Sequence, residues 1–139
     1  MGAATPTTIA VPVAWGEQDG FGHVNNVVYF RYFESVRMYF LERTGILRSH
    51  RVHGIGVILA STTCDFERTV TWPQTLQVST WPVRVGNTSF LLHYRITNER
   101  GDVVATGSSV LVMYDYGRST KVPVPDDLRA RINALIPAP

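Results

Sequence analysis

The longest stretch with a helical period runs from Asn26 to Arg43. At about 100° per residue, Tyr29, Tyr32, Phe33, Val36, Tyr39 and Phe40 fall on one broad face, and Arg31, Glu34, Ser35, Met38 and Glu42 fall on the other. Asn25 or Asn26 can cap the first turn, and Gly45 supplies a left-handed stop. A face so rich in aromatic rings needs a large apolar partner, and a sheet is the natural one. Beyond Gly54 the period changes to two. Gly56–Glu67, Leu76–Val85, the alternating Phe90, Leu92, Tyr94 and Ile96, and Val103–Tyr114 read as four strands. The apolar phase slips between Val78 and Trp81, beside Pro82, which predicts a bulge. Gly107, Ser108 and Ser109 leave room for something close to the backbone. Gly86-Asn87 and Asn98–Asp102 read as hairpin turns.

Ahead of the helix, Ile9–Trp15 reads as a short strand that Pro12 confines to an edge, and Met1–Thr8 as a loose, polar lead. Asp126–Ile136, after Pro123 and Pro125, reads as a short last helix. Hairpin connections force antiparallel neighbours, so the expectation is an α+β architecture: one long helix against one antiparallel sheet. Such a sheet leaves open edges, for which self-association is a remedy.

Composition narrows the functional classes. A chain of 139 residues suggests one domain, with a core over about residues 9–136. The net charge of +2 includes no basic block, which argues against nucleic acid as a partner. The single cysteine, Cys64, excludes an internal disulfide framework. His50, His53 and His93 are scattered, so no metal site is expected. The run Gly54–Ala60 is too short to span a bilayer, and no basic region precedes an apolar one at the N-terminus. A cytoplasmic protein with no membrane partner is the expectation.

Chemistry concentrates in Trp15–Glu34, WGEQDGFGHVNNVVYFRYFE. Gly16, Gly20 and Gly22 permit sharp turns there. Two carboxylates, Glu17 and Asp19, are followed by His23 and the amides Asn25 and Asn26 at the helix start. By spacing alone Asp19 is a turn former, His23 a hydrogen-bonding residue, the amides helix caps, and Cys64 an inert core thiol.

The run DGFGHVNNVVYFRYFE resembles the signature of hotdog-fold thioesterases of the 4-hydroxybenzoyl-CoA thioesterase-like family, in which acidic residues precede Gly-His-Val-Asn-Asn, then a Tyr, then a helix with Glu and Arg. Glu17, Asp19, Gly22, His23, Val24, Asn25, Asn26, Tyr29, Glu34 and Arg37 are the counterparts. The resemblance implies a hotdog fold: a five-stranded antiparallel sheet wrapped around one long helix, with a short C-terminal helix. It implies an acyl-CoA thioesterase in which Asp19 is the catalytic carboxylate, acting as general base or as nucleophile. Gly56 becomes a candidate oxyanion donor through its N–H, ahead of the N–H groups at the helix start. Asn26 becomes a candidate for orienting water or substrate. Glu17 stands where the family usually has Asp, and Asn26 where some members have His. Plant acyl carrier protein thioesterases are similar in their Asp-x-Asn-x-His spacing, which Asp19 and His23 match although Phe21 replaces the asparagine.

The resemblance further implies a site at a subunit boundary of a homodimer or homotetramer, with no cofactor beyond the CoA of the substrate. Arg68, Arg84, Arg118 and Lys121 are candidate contacts for its phosphates. Phe21 and Trp15 are candidates for the apolar cover that would make Asp19 a better base. Two alternatives compete: a non-catalytic acyl-CoA-binding protein of this fold, and a hydratase, whose Asp-x-Asn-Pro-x-His pattern this chain lacks.

Overall fold

The computed structural model describes residues 4–139; the N-terminal lead expected to be loose begins at Met1, and residues 1–3 lie outside that range. The chain runs β1 (Thr7–Pro12), a single 3-10 turn (Trp15–Glu17), α1 (Asn26–Arg43), α2 (Ile46–His53), β2 (Ile55–Phe66), β3 (Thr75–Val85), β4 (Ser89–Thr97), β5 (Val103–Asp115), β6 (Thr120–Lys121) and α3 (Asp126–Asn133). Five long strands form an antiparallel sheet in the order β1-β3-β4-β5-β2, with the two-residue β6 paired to β5. The sheet curls around α1, the hotdog arrangement. Among the described residues no helix is long and apolar enough to cross a membrane.

Alternation places the core as read. Phe90, Leu92, Tyr94 and Ile96 of β4 are all buried against α1, and Phe33 stacks on Tyr94 with ring centroids 4.4 Å apart. Gly107 lies beneath that stack: a Cβ there would strike the Phe33 ring and the Thr63 carbonyl. Pro12 does sit in an edge strand, which begins at Thr7 rather than Ile9 and ends at Pro12 rather than Trp15. The register slip falls between Pro82 and Arg84, just beyond the expected position.

The largest difference is α2, where a second helix replaces an expected connection. Its eight residues end on left-handed glycines, Gly45 at φ 84° and Gly54 at φ 72°. It also shifts the buried face of α1. Arg37 and Leu41 are buried, while Tyr39 is 61% exposed, because α2 covers the flank that carries Leu41. The last helix stops at Asn133, three residues before the expected Ile136.

Candidate active site

Glu17 organises the loop between β1 and α1. Its Oε1 accepts from the Ala14 N–H at 2.7 Å and from the Tyr32 hydroxyl at 2.8 Å, and its main-chain oxygen accepts from the Asn25 N–H at 2.9 Å. One side chain thus ties the end of β1 to the second turn of α1. Burial, and then the bond to Glu17, push the Tyr32 hydroxyl's pKa above the usual tyrosine value. Beyond Glu17 the chain doubles back through an antiparallel bridge between Gln18 and Val24. The Asp19 N–H donates to the His23 oxygen at 2.8 Å, and the Gly22 N–H donates to the Asp19 oxygen at 3.1 Å. Gly22, at φ 79°, closes this turn in a conformation few other residues tolerate. The Val24 N–H donates to the Val70 oxygen at 2.8 Å, pinning the loop to the segment after β2.

Asp19, His23 and Asn26 therefore line one cleft of about 430 Å³, together with Phe21, Tyr29, Phe66 and Arg68. The Phe21 N–H donates to Asp19 Oδ1 at 2.9 Å, and Oδ2 has no hydrogen-bond partner among the described residues. The cap of α1 is Asn25, whose Oδ1 accepts from the Val27 N–H at 3.0 Å. The Asn26 side chain is thereby released from capping and faces the cleft. Its main-chain N–H, the first of an 18-residue helix, carries no hydrogen bond among the described residues. A helix start of this kind offers unpaired donors and a positive dipole end to an oxyanion.

Within one chain Gly56 lies outside this cleft. It lies at the far end of β2, buried against the His50 ring. The Tyr116 N–H donates to the Gly54 oxygen, so alternation makes Gly56 and Tyr114 a hydrogen-bonded pair. By that register the Gly56 N–H points toward β5 within its own chain. Trp15 and Phe21 do not fold over Asp19 within the chain: they are 69% and 88% exposed. Of the basic residues named from sequence, only Arg68 reaches the cleft; Arg118 leans on Asp115 at 3.9 Å, and Arg84 and Lys121 sit on β3 and β6.

Sequence reasoning placed Tyr29 in the core, and it is also a cleft residue. Its ring meets Phe66 edge-on at 4.9 Å. Burial, reinforced by neighbouring Cys64, pushes its pKa up to about 12, so it stays a neutral phenol at neutral pH. The Cys64 thiol is itself pushed up to about 11 by burial, then by Asp65. The signal available in sequence was the position of Tyr29 one turn into α1, on the side facing His23. Among the described residues no group of three or more His, Cys, Asp and Glu side chains gathers as a metal cradle.

Loop, helix start and sheet together match known proteins. The thioesterase-like superfamily matches residues 13–132, and the chain belongs to it. The uncharacterised protein YsmA of Bacillus subtilis is 34% identical over 102 residues, covering 73% of this chain and 68% of YsmA. The structure of the PA2801 protein of Pseudomonas aeruginosa is 30% identical at a TM-score of 0.81, over 92% of this chain and 99% of that one. The SAV2348 protein of Staphylococcus aureus, solved in complex with CoA, shares the fold at a TM-score of 0.90 over 99% of this chain and 90% of that one, with 13% identity.

Proposed function

We propose that this protein hydrolyses acyl-CoA thioesters to a free acid and CoA, with Asp19 as the catalytic carboxylate. The observation that carries the reading is the meeting of Asp19, His23, Asn26 and the unbonded start of α1 in one cleft. A thiolate leaves readily, so the enzyme needs chiefly a nucleophile and a site for the oxyanion. Asp19 Oδ2 meets the first need in one of two ways. As a base it takes a proton from water, whose oxygen attacks the carbonyl carbon. As a nucleophile it attacks that carbon itself, expelling CoA thiolate and leaving a mixed anhydride that water then opens. The Asn26 N–H holds the carbonyl oxygen as charge develops. The Asn26 amide and His23 position water or the ester.

No cofactor enters this scheme, since CoA is part of the substrate. The same fold holds CoA in the SAV2348 protein, and here Arg68 stands at the cleft to meet a CoA phosphate. The active unit is a homodimer or a pair of dimers, in which a second copy supplies the apolar cover that one chain leaves off Asp19. The experiment is a panel of aromatic, short, medium and long acyl-CoA esters, with release of free thiol as the readout. Hydrolysis of at least one class is expected. Stoichiometric binding of acyl-CoA with no turnover would favour a non-catalytic acyl-CoA-binding protein instead.

A further inference from the structure

Tyr29 is a buried phenol whose hydroxyl has no partner in its own chain. Of the buried tyrosines, Tyr32 donates to Glu17 and Tyr94 accepts from Arg37, while Tyr29, 2% exposed, makes no side-chain hydrogen bond among the described residues. Buried hydroxyls are normally paired. Among the described residues no polar side-chain atom that is sealed from solvent lacks a partner, so the Tyr29 hydroxyl is not sealed. It is the point at which a buried ring reaches an opening. The opening is the cleft of Asp19, His23 and Asn26, which Tyr29 helps to line.

The helix directs the hydroxyl within that cleft. Tyr29 follows Asn26 by one turn of α1 and shares its face. Helical side chains lean toward the N-terminus and cover the turn ahead of their own Cα. The phenol therefore reaches back over the first turn, toward the end where the Asn26 N–H is unbonded. Its ring is held by two others, Phe66 edge-on at 4.9 Å and Tyr32 at 6.1 Å. A donor fixed in advance costs no reorganisation when charge appears. Acid–base strength then narrows its role. A CoA thiolate, with an unperturbed thiol pKa of about 8.5, leaves without needing a proton. Burial, and then Cys64, hold the phenol's proton up to about 12, so it is not passed to that thiolate. A hydroxyl that stays protonated is left with one part to play, as a hydrogen-bond donor.

We infer that Tyr29 is a catalytic residue, its hydroxyl donating to the thioester carbonyl oxygen alongside the Asn26 N–H as negative charge develops there. The inference rests on the proposed hydrolysis of acyl-CoA and adds a side-chain donor to the main-chain one. No proton changes hands at this oxygen. Attack on the carbonyl carbon pushes an electron pair onto the oxygen, where the two donors meet it. The pair then returns to the carbonyl, the carbon–sulfur bond breaks, CoA leaves as thiolate, and the phenol keeps its proton.

Tyr29→Phe tests it. The ring keeps its contacts with Phe66 and Tyr32 and no hydrogen bond within the chain is lost, so the thermal melt should match that of wild type. On the best acyl-CoA ester kcat should fall by ~100-fold with KM little changed, because an oxyanion donor acts chiefly on the transition state. A second measurement isolates the contact: titration calorimetry with the matching S-alkyl-CoA thioether, in which a methylene replaces the carbonyl. That ligand offers no oxygen to the phenol, so wild type and Tyr29→Phe should bind it with the same Kd. A Tyr29→Phe chain that turns over at the wild-type rate would overturn the inference. So would a lowered melt, which marks a structural role, or a loss of thioether affinity, which marks a packing role against the acyl chain. The same samples separate this inference from the reading beneath it. An active wild type with an equally active Tyr29→Phe removes Tyr29 alone. Asp19→Asn at the wild-type rate beside a slow Tyr29→Phe removes Asp19 and keeps the donor. A wild type that hydrolyses no ester removes both.

Discussion

The Tyr32 hydroxyl donates to Glu17 Oε1 at 2.8 Å, a single bond between the buried face of α1 and the loop that carries Asp19. Hydrogen bonds to a charged acceptor contribute about 1.5–3 kcal/mol. Tyr32→Phe keeps the ring and loses the bond, so Tm should fall by a few degrees. Asp19 sits two residues beyond Glu17, so kcat should fall more than KM rises as the loop loses its anchor. Thermal melts and steady-state kinetics on one preparation check both.

The adjacent amides of α1 divide their work. Asn25→Ala removes the cap and should cost about 1 kcal/mol of stability in urea unfolding. Asn26→Ala removes no cap, so the unfolding midpoint should stay put while kcat drops by about tenfold or more. The opposite pattern would exchange their roles.

Gly107 lets α1 approach the sheet. Gly107→Ala drives a methyl group into Phe33 and the Thr63 carbonyl, and should cost about 1–3 kcal/mol or more in unfolding measurements.

Alkaline conditions should destabilise the fold progressively, because Cys64, Tyr29 and Tyr32 all hold their protons more tightly when folded. Cys64 titrates near 9.0 when unfolded and about 11 when folded; Tyr29 titrates near 10.0 and about 12. Both folded values are raised, so the unfolded chain releases these protons first. The stability they contribute is complete below pH 9.0 and is lost as pH rises toward 12. Cys64→Ala should flatten the lower part of that decline in melts taken across the range. With its folded pKa raised to about 11, Cys64 should react slowly at pH 8 with the thiol reagent used to detect CoA.

Much of the fold was legible in local pattern. The aromatic stripe of α1, the strict alternation of β4 and the proline in β1 each record a side chain's relation to one surface, which periodicity reports directly. α2 escaped because it buries only Ile46 outright and is too short to establish a period; its capping glycines were the available sign. The placement of Tyr39 failed with it, since the burial of one helix flank depends on a neighbour that the period of α1 does not encode. In the site, the spacing of Asp19, His23 and Asn26 fixed their company because they share one loop and the helix it enters. Gly56 comes from another segment, and whether its N–H faces outward or into the sheet is set by pairing with β5, a non-local property.

The central claim concerns one carboxylate. Asp19→Asn keeps the side chain's shape and its Oδ1 bond to the Phe21 N–H, so the variant should fold with an unchanged melt. With the wild type's best acyl-CoA ester, its kcat should fall by at least ~100-fold. Hydrolysis by Asp19→Asn at the wild-type rate would contradict the account.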